Sequence, residues 1–202
     1  MQQLSTVLRA ARPDLDEGRI FARYLDRAAE GFFRFWLGRN AADIIAKAFI
    51  QPDHNLSYQN VTFAERGGIV VGMVSGYTAE QHRQSSDLPL KQAAGSNVRM
   101  AVISLMFGPL FRIINTIADG DFYIQAVAVD REHEGTGVGS ALMDMIEHQA
   151  AAGGSTRIVL DVSAGNEVAG KLYERRGMIV ESRWPKYIAM PGLKFLRMTK
   201  AL

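Results

Sequence analysis

Residues Glu134 to Ser140, Glu-Gly-Thr-Gly-Val-Gly-Ser, have the types and spacing in this 202-residue chain that speak most directly of chemistry. Glycines at 135, 137 and 139 let a backbone turn tightly and approach a ligand closely. An apolar run, Tyr123 to Val129, precedes them, and an amphipathic stretch beginning near Val138 follows, so the loop joins a strand to a helix. The first amides of a helix have no partner within it and carry a partial positive charge. Such a joint can cradle phosphate, with Glu134, Gly135, Thr136, Gly137, Val138, Gly139 and Ser140 as the candidate contacts. A plain strand-to-helix turn would use the same glycines, so the surrounding segments must discriminate.

Two familiar phosphate loops fit poorly. A dinucleotide site is suggested by the strand, the glycines, the helix and a later strand ending in Asp161, a candidate ribose ligand. Yet the glycines run Gly-x-Gly-x-Gly, with Ser140 where the dinucleotide pattern has its last glycine, and Asp161 lies 26 residues beyond Gly135. The second match is Gly165-Asn-Glu-Val-Ala-Gly-Lys171, which satisfies Gly-x-x-x-x-Gly-Lys. Leu172 stands where a magnesium-binding hydroxyl belongs, and Val168, Ala169, Leu172 and Tyr173 have helical spacing, so this segment reads as a helix.

The elements that must position these residues divide into two halves. Upstream, Thr6 to Ala10 reads as a strand, and a helix carries Ile20, Phe21, Tyr24, Leu25 and Ala28 on one face. That helix continues into the aromatic run Gly31 to Leu37, whose Phe32 and Trp36 are either core-facing, a partner surface, or a wall of an acceptor pocket. Asn40 is placed to cap a helix over Ala41 to Phe49. Val61 to Glu65 and Ile69 to Tyr77 form a hairpin about Arg66-Gly67-Gly68. From about 78 to 120 the sequence reads as a helical insertion packed on the sheet, with apolar helical stretches at 98–107 and 110–117. Downstream the order is strand 122–129, helix 138–151 (apolar face Val138, Leu142, Met145, Ile146, Gln149), strand 157–162, helix 166–176, strand 178–184 and strand 195–199. Strands joined through a helix should run parallel, whereas the hairpin is antiparallel, so a mixed sheet flanked by helices is predicted.

Composition limits the function classes. The chain has length for one domain, 1–202, with no linker dividing it. It has no cysteines, which excludes disulfides, thiolate metal sites and a cysteine nucleophile. His54, His82, His133 and His148 lack paired metal-ligand spacing, so no metal is expected, and each reads as a surface or loop residue. A net charge of +2 without a dense basic run argues for small anionic ligands and against nucleic acid. Arg99, Gly108-Pro109 and Arg112 interrupt the apolar insertion, so no membrane span is expected, and the N-terminus does not read as a secretory signal. A cytoplasmic enzyme is the expectation, and a homodimer is compatible with it.

Ala126-Val-Ala-Val-Asp-Arg-Glu-His-Glu-Gly-Thr-Gly-Val-Gly-Ser-Ala-Leu142, followed by Leu160-Asp-Val-Ser-Ala-Gly-Asn-Glu-Val-Ala-Gly-Lys-Leu-Tyr-Glu-Arg-Arg-Gly177, resembles the coenzyme A core of the GNAT superfamily of N-acetyltransferases. One departure stands out: the family's loop opens on Arg or Gln, and here Glu134 comes first. The resemblance implies an α/β (α+β) fold with a mixed, mostly antiparallel central sheet, and acetyl-CoA as acyl donor. It implies that amides of 135–140 hold the pyrophosphate and that the backbone of Val127, Ala128 and Val129 pairs with the pantetheine arm. Asn166 matches a cofactor-contacting position, and Tyr173 matches the position that protonates the departing thiolate. The implied reaction is direct acetyl transfer to a primary amine, on a small molecule or a peptide; the alternative is an acyl-CoA-binding module without turnover. Tyr123 and Gln125 are placed to line the acceptor site, with Asp121, Glu30 or relayed water as candidate bases.

Overall fold

The computed structural model describes residues 5–108, 116–184 and 194–202. Seven strands form one sheet: β1 (Val7–Ala10), β2 (Val61–Arg66), β3 (Ile69–Thr78), β4 (Asp121–Val129), β5 (Arg157–Ser163), β6 (Ile179–Trp184) and β7 (Phe195–Ala201). They lie in the order β1-β2-β3-β4-β5-β7-β6, and every neighbouring pair is antiparallel except β4 with β5. The predicted mixed, mostly antiparallel sheet is therefore the one that forms. Gly67 and Gly68, at φ 58° and 78°, supply the two left-handed residues that a tight β2–β3 hairpin requires. Helix α7 (Val138–Ala152) carries the chain from β4 back to a parallel β5. Helix α8 (Glu167–Arg175) leads from β5 to β6, but β7 inserts between those two strands, antiparallel to both.

The upstream helices depart from expectation at their joints. Helix α1 (Leu15–Ala28) begins at Asp14, whose side chain accepts from the amides of Asp16 and Glu17. It does not run on through the aromatic segment, because Glu30 and Gly31 adopt φ of 52° and 86°, and α2 (Phe32–Leu37) starts afresh. Helix α3 (Ala41–Phe49) has the expected bounds, although the Asn40 side chain makes no capping bond. The insertion forms α4 (Ala79–Gln84), α5 (Leu88–Ala94) and α6 (Val98–Met106), and the expected helix at 110–117 falls largely on residues 109–115, outside those described. Of these three, α4 lies against the sheet, while α5 packs on α3 and α6 on α2. The reason is polar as well as apolar: Trp36 Nε1 donates to Met100 O at 3.2 Å and Ser104 Oγ at 3.0 Å, and Arg99 Nε donates to Phe35 O at 2.6 Å.

The sheet buries both faces. Phe21, Tyr24, Leu25, Ile45 and Phe49 from α1 and α3 cover Phe63, Met73, Ala126 and Ala128. Val138, Leu142, Met143 and Ile146 of α7, with Tyr173 of α8, cover Ile124, Ile158, Leu160 and Met198 on the other. Full burial of such side chains contributes about 1.5–3 kcal/mol each. The α7 stripe differs from prediction: Met143 and Ala150 are buried, Met145 is half-buried, and Gln149 is exposed, because the core row follows i, i+4, i+8 from Val138.

One glycine shapes the centre of the sheet. Ser75 pairs with Ala126 and Gly76 with Ile124, so Gln125 is an extra residue bulging from β4. A Cβ on Gly76 would lie 2.5 Å from Phe122 Cε1 and 2.9 Å from Tyr123 O, and the backbone oxygen cannot swing aside. Gly76→Ala is therefore expected to destabilise the fold by about 1–3 kcal/mol, read as a lower urea midpoint with an unchanged slope. An unchanged midpoint would mean that the close β3–β4 approach is not required.

Candidate functional site

β4 and β5 are partners only from Asp121 opposite Arg157 to Ile124 opposite Leu160. Beyond that point β4 stays with β3 as far as Val129, while β5 stays with β7 as far as Ser163, so the two strands part. The Asp130 amide donates to Val71 O at 2.8 Å, and the register sets Met73 opposite Ala128. Bonded and unbonded residues alternate along an antiparallel ladder, so Ala128 exchanges its hydrogen bonds with β3. The N–H and C=O groups of Val127 and Val129 point the other way, into the gap. Of the three residues expected to offer backbone there, two do and Ala128 does not. Val129 O accepts from Arg27 Nη1 at 3.1 Å, which leaves the Val127 groups and the Val129 amide toward the opening.

The glycine loop stands at the open end of this gap. Gly135 and Gly137 have φ of 70° and 90°, where side chains are strained, and a Cβ on either would meet nothing within 4 Å. The space above them is open. Gly139 is different: its backbone needs no glycine, and a Cβ would rest 3.7 Å from Val129 Cγ2. The first turn-closing bond of α7 is Ala141 N to Gly137 O at 3.0 Å, so the amides of Val138, Gly139 and Ser140 precede the ladder. No side chain caps α7, and its first turn has no acidic residue. These open amides under the positive end of a helix fit a phosphate group.

Thr136 and Glu134 play separate parts. Thr136 is committed to the loop itself: its hydroxyl donates to His133 O at 2.6 Å and accepts from Arg66 Nη1 at 2.9 Å, and its carbonyl accepts from Arg66 Nη2 at 3.0 Å. Arg66, on the β2–β3 hairpin, thus sets a guanidinium against the loop where Glu134 supplies none. Glu134 is exposed and has no ion pair among the described residues. Asp130, at the entrance to the loop, accepts from the Tyr24 hydroxyl at 2.8 Å and pairs with Arg23 and Arg27. Neither the hold of Arg66 on the loop nor the Asp130 cluster is legible in the sequence, since the partners are 70 and about 100 residues apart.

On the β5 side, Asn166 Oδ1 accepts from Ala169 N at 3.1 Å and so caps α8. Tyr173, two turns on, is 8% exposed and shares a buried cluster with Val138, Leu142 and Val162, with Val127 and Val129 packed against it. Burial pushes its phenol up to about 12, which keeps the proton on oxygen at neutral pH. Lys171 lies within α8, 3.5 Å from Glu167 one turn earlier, so Gly165–Lys171 does not wrap a phosphate. Asp161 is likewise unavailable to a ribose, because Arg197 binds both its oxygens, at 3.0 and 2.8 Å.

The opposite face of the gap is lined more tightly than the sequence suggested. Tyr123 is 4% exposed, its hydroxyl donates to Asp161 Oδ2 at 3.1 Å, and its ring lies 5.7 Å from that of Tyr77. Burial, then the nearby Asp161 carboxylate, raise its pKa, so it remains a neutral wall. Gln125, at the bulge, accepts from Ser75 Oγ at 3.3 Å. Phe32 and Trp36 are placed in the α2–α6 contact and not shown at the gap: they stack on one another at 6.2 Å, and Phe107 meets the Phe32 edge at 5.8 Å. Asp121 is no free base: it is 4% exposed and both its oxygens accept from Arg157. Glu30 is exposed at the α1–α2 turn. Among the histidines, His54 departs from a surface role: it is buried, with Nε2 2.8 Å from Ala48 O. Among the described residues no cluster could hold a metal ion, and no helix is long and apolar enough to cross a membrane.

This geometry has counterparts among solved structures. An acetyltransferase is 23% identical with a TM-score of 0.67, covering 96% of this chain and 98% of its own. An N-acetyltransferase from Staphylococcus aureus Mu50 is 17% identical with a TM-score of 0.67, covering 96% of this chain and 100% of its own. The ribosomal-protein-S18-alanine N-acetyltransferase from Escherichia coli is 12% identical with a TM-score of 0.56, covering 98% and 94%. At these identities the likeness is one of fold. A search of curated protein sequences finds no match. The family model of the acetyltransferase (GNAT) family matches residues 21–178, a span that contains the gap, the glycine loop, Asn166 and Tyr173. The chain is an acyltransferase of the GNAT acetyltransferase family.

Proposed function

We propose that this enzyme transfers an acetyl group from acetyl-CoA directly to a primary amine. The observation that carries this reading is the pair of open backbone rows, Val127/Val129 and Val138/Gly139/Ser140, meeting at one end of a split sheet. Acetyl-CoA supplies an activated thioester and a thiol leaving group. The chain's own part is to hold the pyrophosphate on the amides of 138–140, with Gly135 and Gly137 leaving room for it. The backbone of Val127 and the Val129 amide would add the pantetheine amides as an extra strand. Tyr173, neutral and buried beside them, is the proton donor to sulfur, whose thiol has an ordinary pKa of about 8.5.

The acceptor must be neutral to attack. A lysine-like amine of pKa about 10.4 is roughly 0.04% neutral at pH 7, a cost near 4.6 kcal/mol, whereas an α-amino group of pKa about 7.8 is over 10% neutral. Asp121 and Asp161 are both held by arginines, so neither is free to act as base. That leaves Glu30 and relayed water as the candidate bases, on which an acceptor of low amine pKa depends least, and the Escherichia coli neighbour, named for an alanine acceptor, has the same fold.

Release of free CoA with a panel of α-amines and lysine-like amines tests the reading. Turnover with at least one α-amine is expected; cofactor binding without free CoA or acetylated product from any amine would instead make the chain a binding module. Gly137→Val should raise the dissociation constant for acetyl-CoA by at least about 100-fold, since φ of 90° is barred to valine. Unchanged affinity by calorimetry would remove the phosphate site from this loop. Tyr173→Phe should lower kcat by about 10²- to 10⁴-fold with acetyl-CoA affinity little changed, while near-normal turnover would leave Tyr173 a packing residue.

A further inference from the structure

On the α1 and α3 side of the sheet, the end of α1, the Glu30-Gly31 turn, α2 and the start of α3 enclose a cleft of about 570 Å³. Four arginines line it, Arg23, Arg27, Arg34 and Arg39, against two carboxylates, Asp26 and Glu30. Asp26 is already taken, accepting from the Arg34 amide at 2.9 Å and lying 3.6 Å from its guanidinium. Arg23 and Arg27 share Asp130, and Arg39 has no ion pair among the described residues. The left-handed turn at Glu30 and Gly31, and Gly38 at φ 84°, set Arg34 and Arg39 against the same opening as the α1 arginines.

The cleft adjoins the gap. Arg27 lines its wall and also donates to Val129 O, the last carbonyl facing the gap. Helices α7 and α8 cover the Val127/Val129 face of β4, whereas α1 and α3 cover the Ala126/Ala128 face. The donor's pyrophosphate is proposed at the start of α7, in the other layer, so an anion held in this cleft is a separate one.

We infer that this cleft binds a carboxylate carried by the acceptor, so that preferred amines belong to acidic peptides or small amino-dicarboxylates. The inference rests on the acetyl-transfer reading above. Guanidinium forks match carboxylates in two-point contact, and positive charge in a concavity raises the local concentration of anions. Neutral acceptors of the same length forgo both.

Fluorescence anisotropy on the full chain with saturating CoA tests it, using two peptides with free α-amines and labelled C-termini, Ala-Glu-Glu-Glu-Gly and Ala-Gln-Gln-Gln-Gly. The acidic peptide should bind about tenfold more tightly, and the preference should shrink as salt rises. Combined Arg34→Gln and Arg39→Gln should bring the two peptides within about twofold, with CoA affinity by calorimetry unchanged. Arg39→Gln alone, which removes no hydrogen bond or ion pair among the described residues, gives the same readout in a smaller step should the pair impair folding. Competition by free glutamate would identify the small-molecule source; its failure with the preference intact would identify the peptide. Equal affinity for the two peptides, a preference that survives the double variant, or a loss of CoA affinity in its place would overturn the inference. Anisotropy does not depend on turnover, so absence of acetylation with every amine would count against the enzyme reading alone.

Discussion

The loss of pairing between β4 and β5 past Ile124 is the constraint around which the site is arranged. A backbone group without a ladder partner must find water or a ligand, since leaving it buried and unpaired costs about 1–3 kcal/mol. The split is held at both ends. Below it, Tyr123 and Arg197 converge on Asp161 and tie β4, β5 and β7 together. Above it, Tyr24, Arg23 and Arg27 converge on Asp130 and fasten α1 to the end of β4. The bulge at Gln125 lies where the strands begin to part, and bulges bend the strand that carries them.

The glycine loop depends on the same frame. Asp130 begins it, and its glycines turn the chain so that α7 starts with bare amides toward the gap. Glu134 is exposed, while Arg66 reaches across from the hairpin to hold Thr136, so a phosphate held by backbone amides, as proposed, would not depend on the residue that opens the loop. Tyr173 on α8 lies in the buried cluster against which Val127 and Val129 pack, dry enough to keep its proton.

What was legible in the sequence was local. The glycine spacing and the helical period through Leu172 and Tyr173 are set within a few residues, and the resemblance to the family rests on them. The parallel pairing of β4 with β5 followed from the helix that joins them, but the insertion of β7 between β5 and β6 did not. The break at Glu30 was hidden because the aromatic run continues the helical pattern, and a left-handed glutamate has no marker in composition. The alternation along β4 does not show the split, since its residues alternate in the same way whether or not a neighbour pairs with them; only the resemblance implied open backbone at 127–129. The carboxylates were the hardest to assign. Asp121 and Asp161 look alike as candidates, and only the arginines 36 residues further on, Arg157 and Arg197, show that both are held in place.

The central claim is that the open amides of the split and of the α7 N-terminus receive the acyl donor. Amide hydrogen exchange, resolved by residue with and without acetyl-CoA, tests it most directly. The account predicts new protection at Val127, Val129, Gly139 and Ser140, and little change at Ala128, whose amide is already bonded to β3. Saturating acetyl-CoA that binds yet leaves those four amides exchanging as before would contradict it.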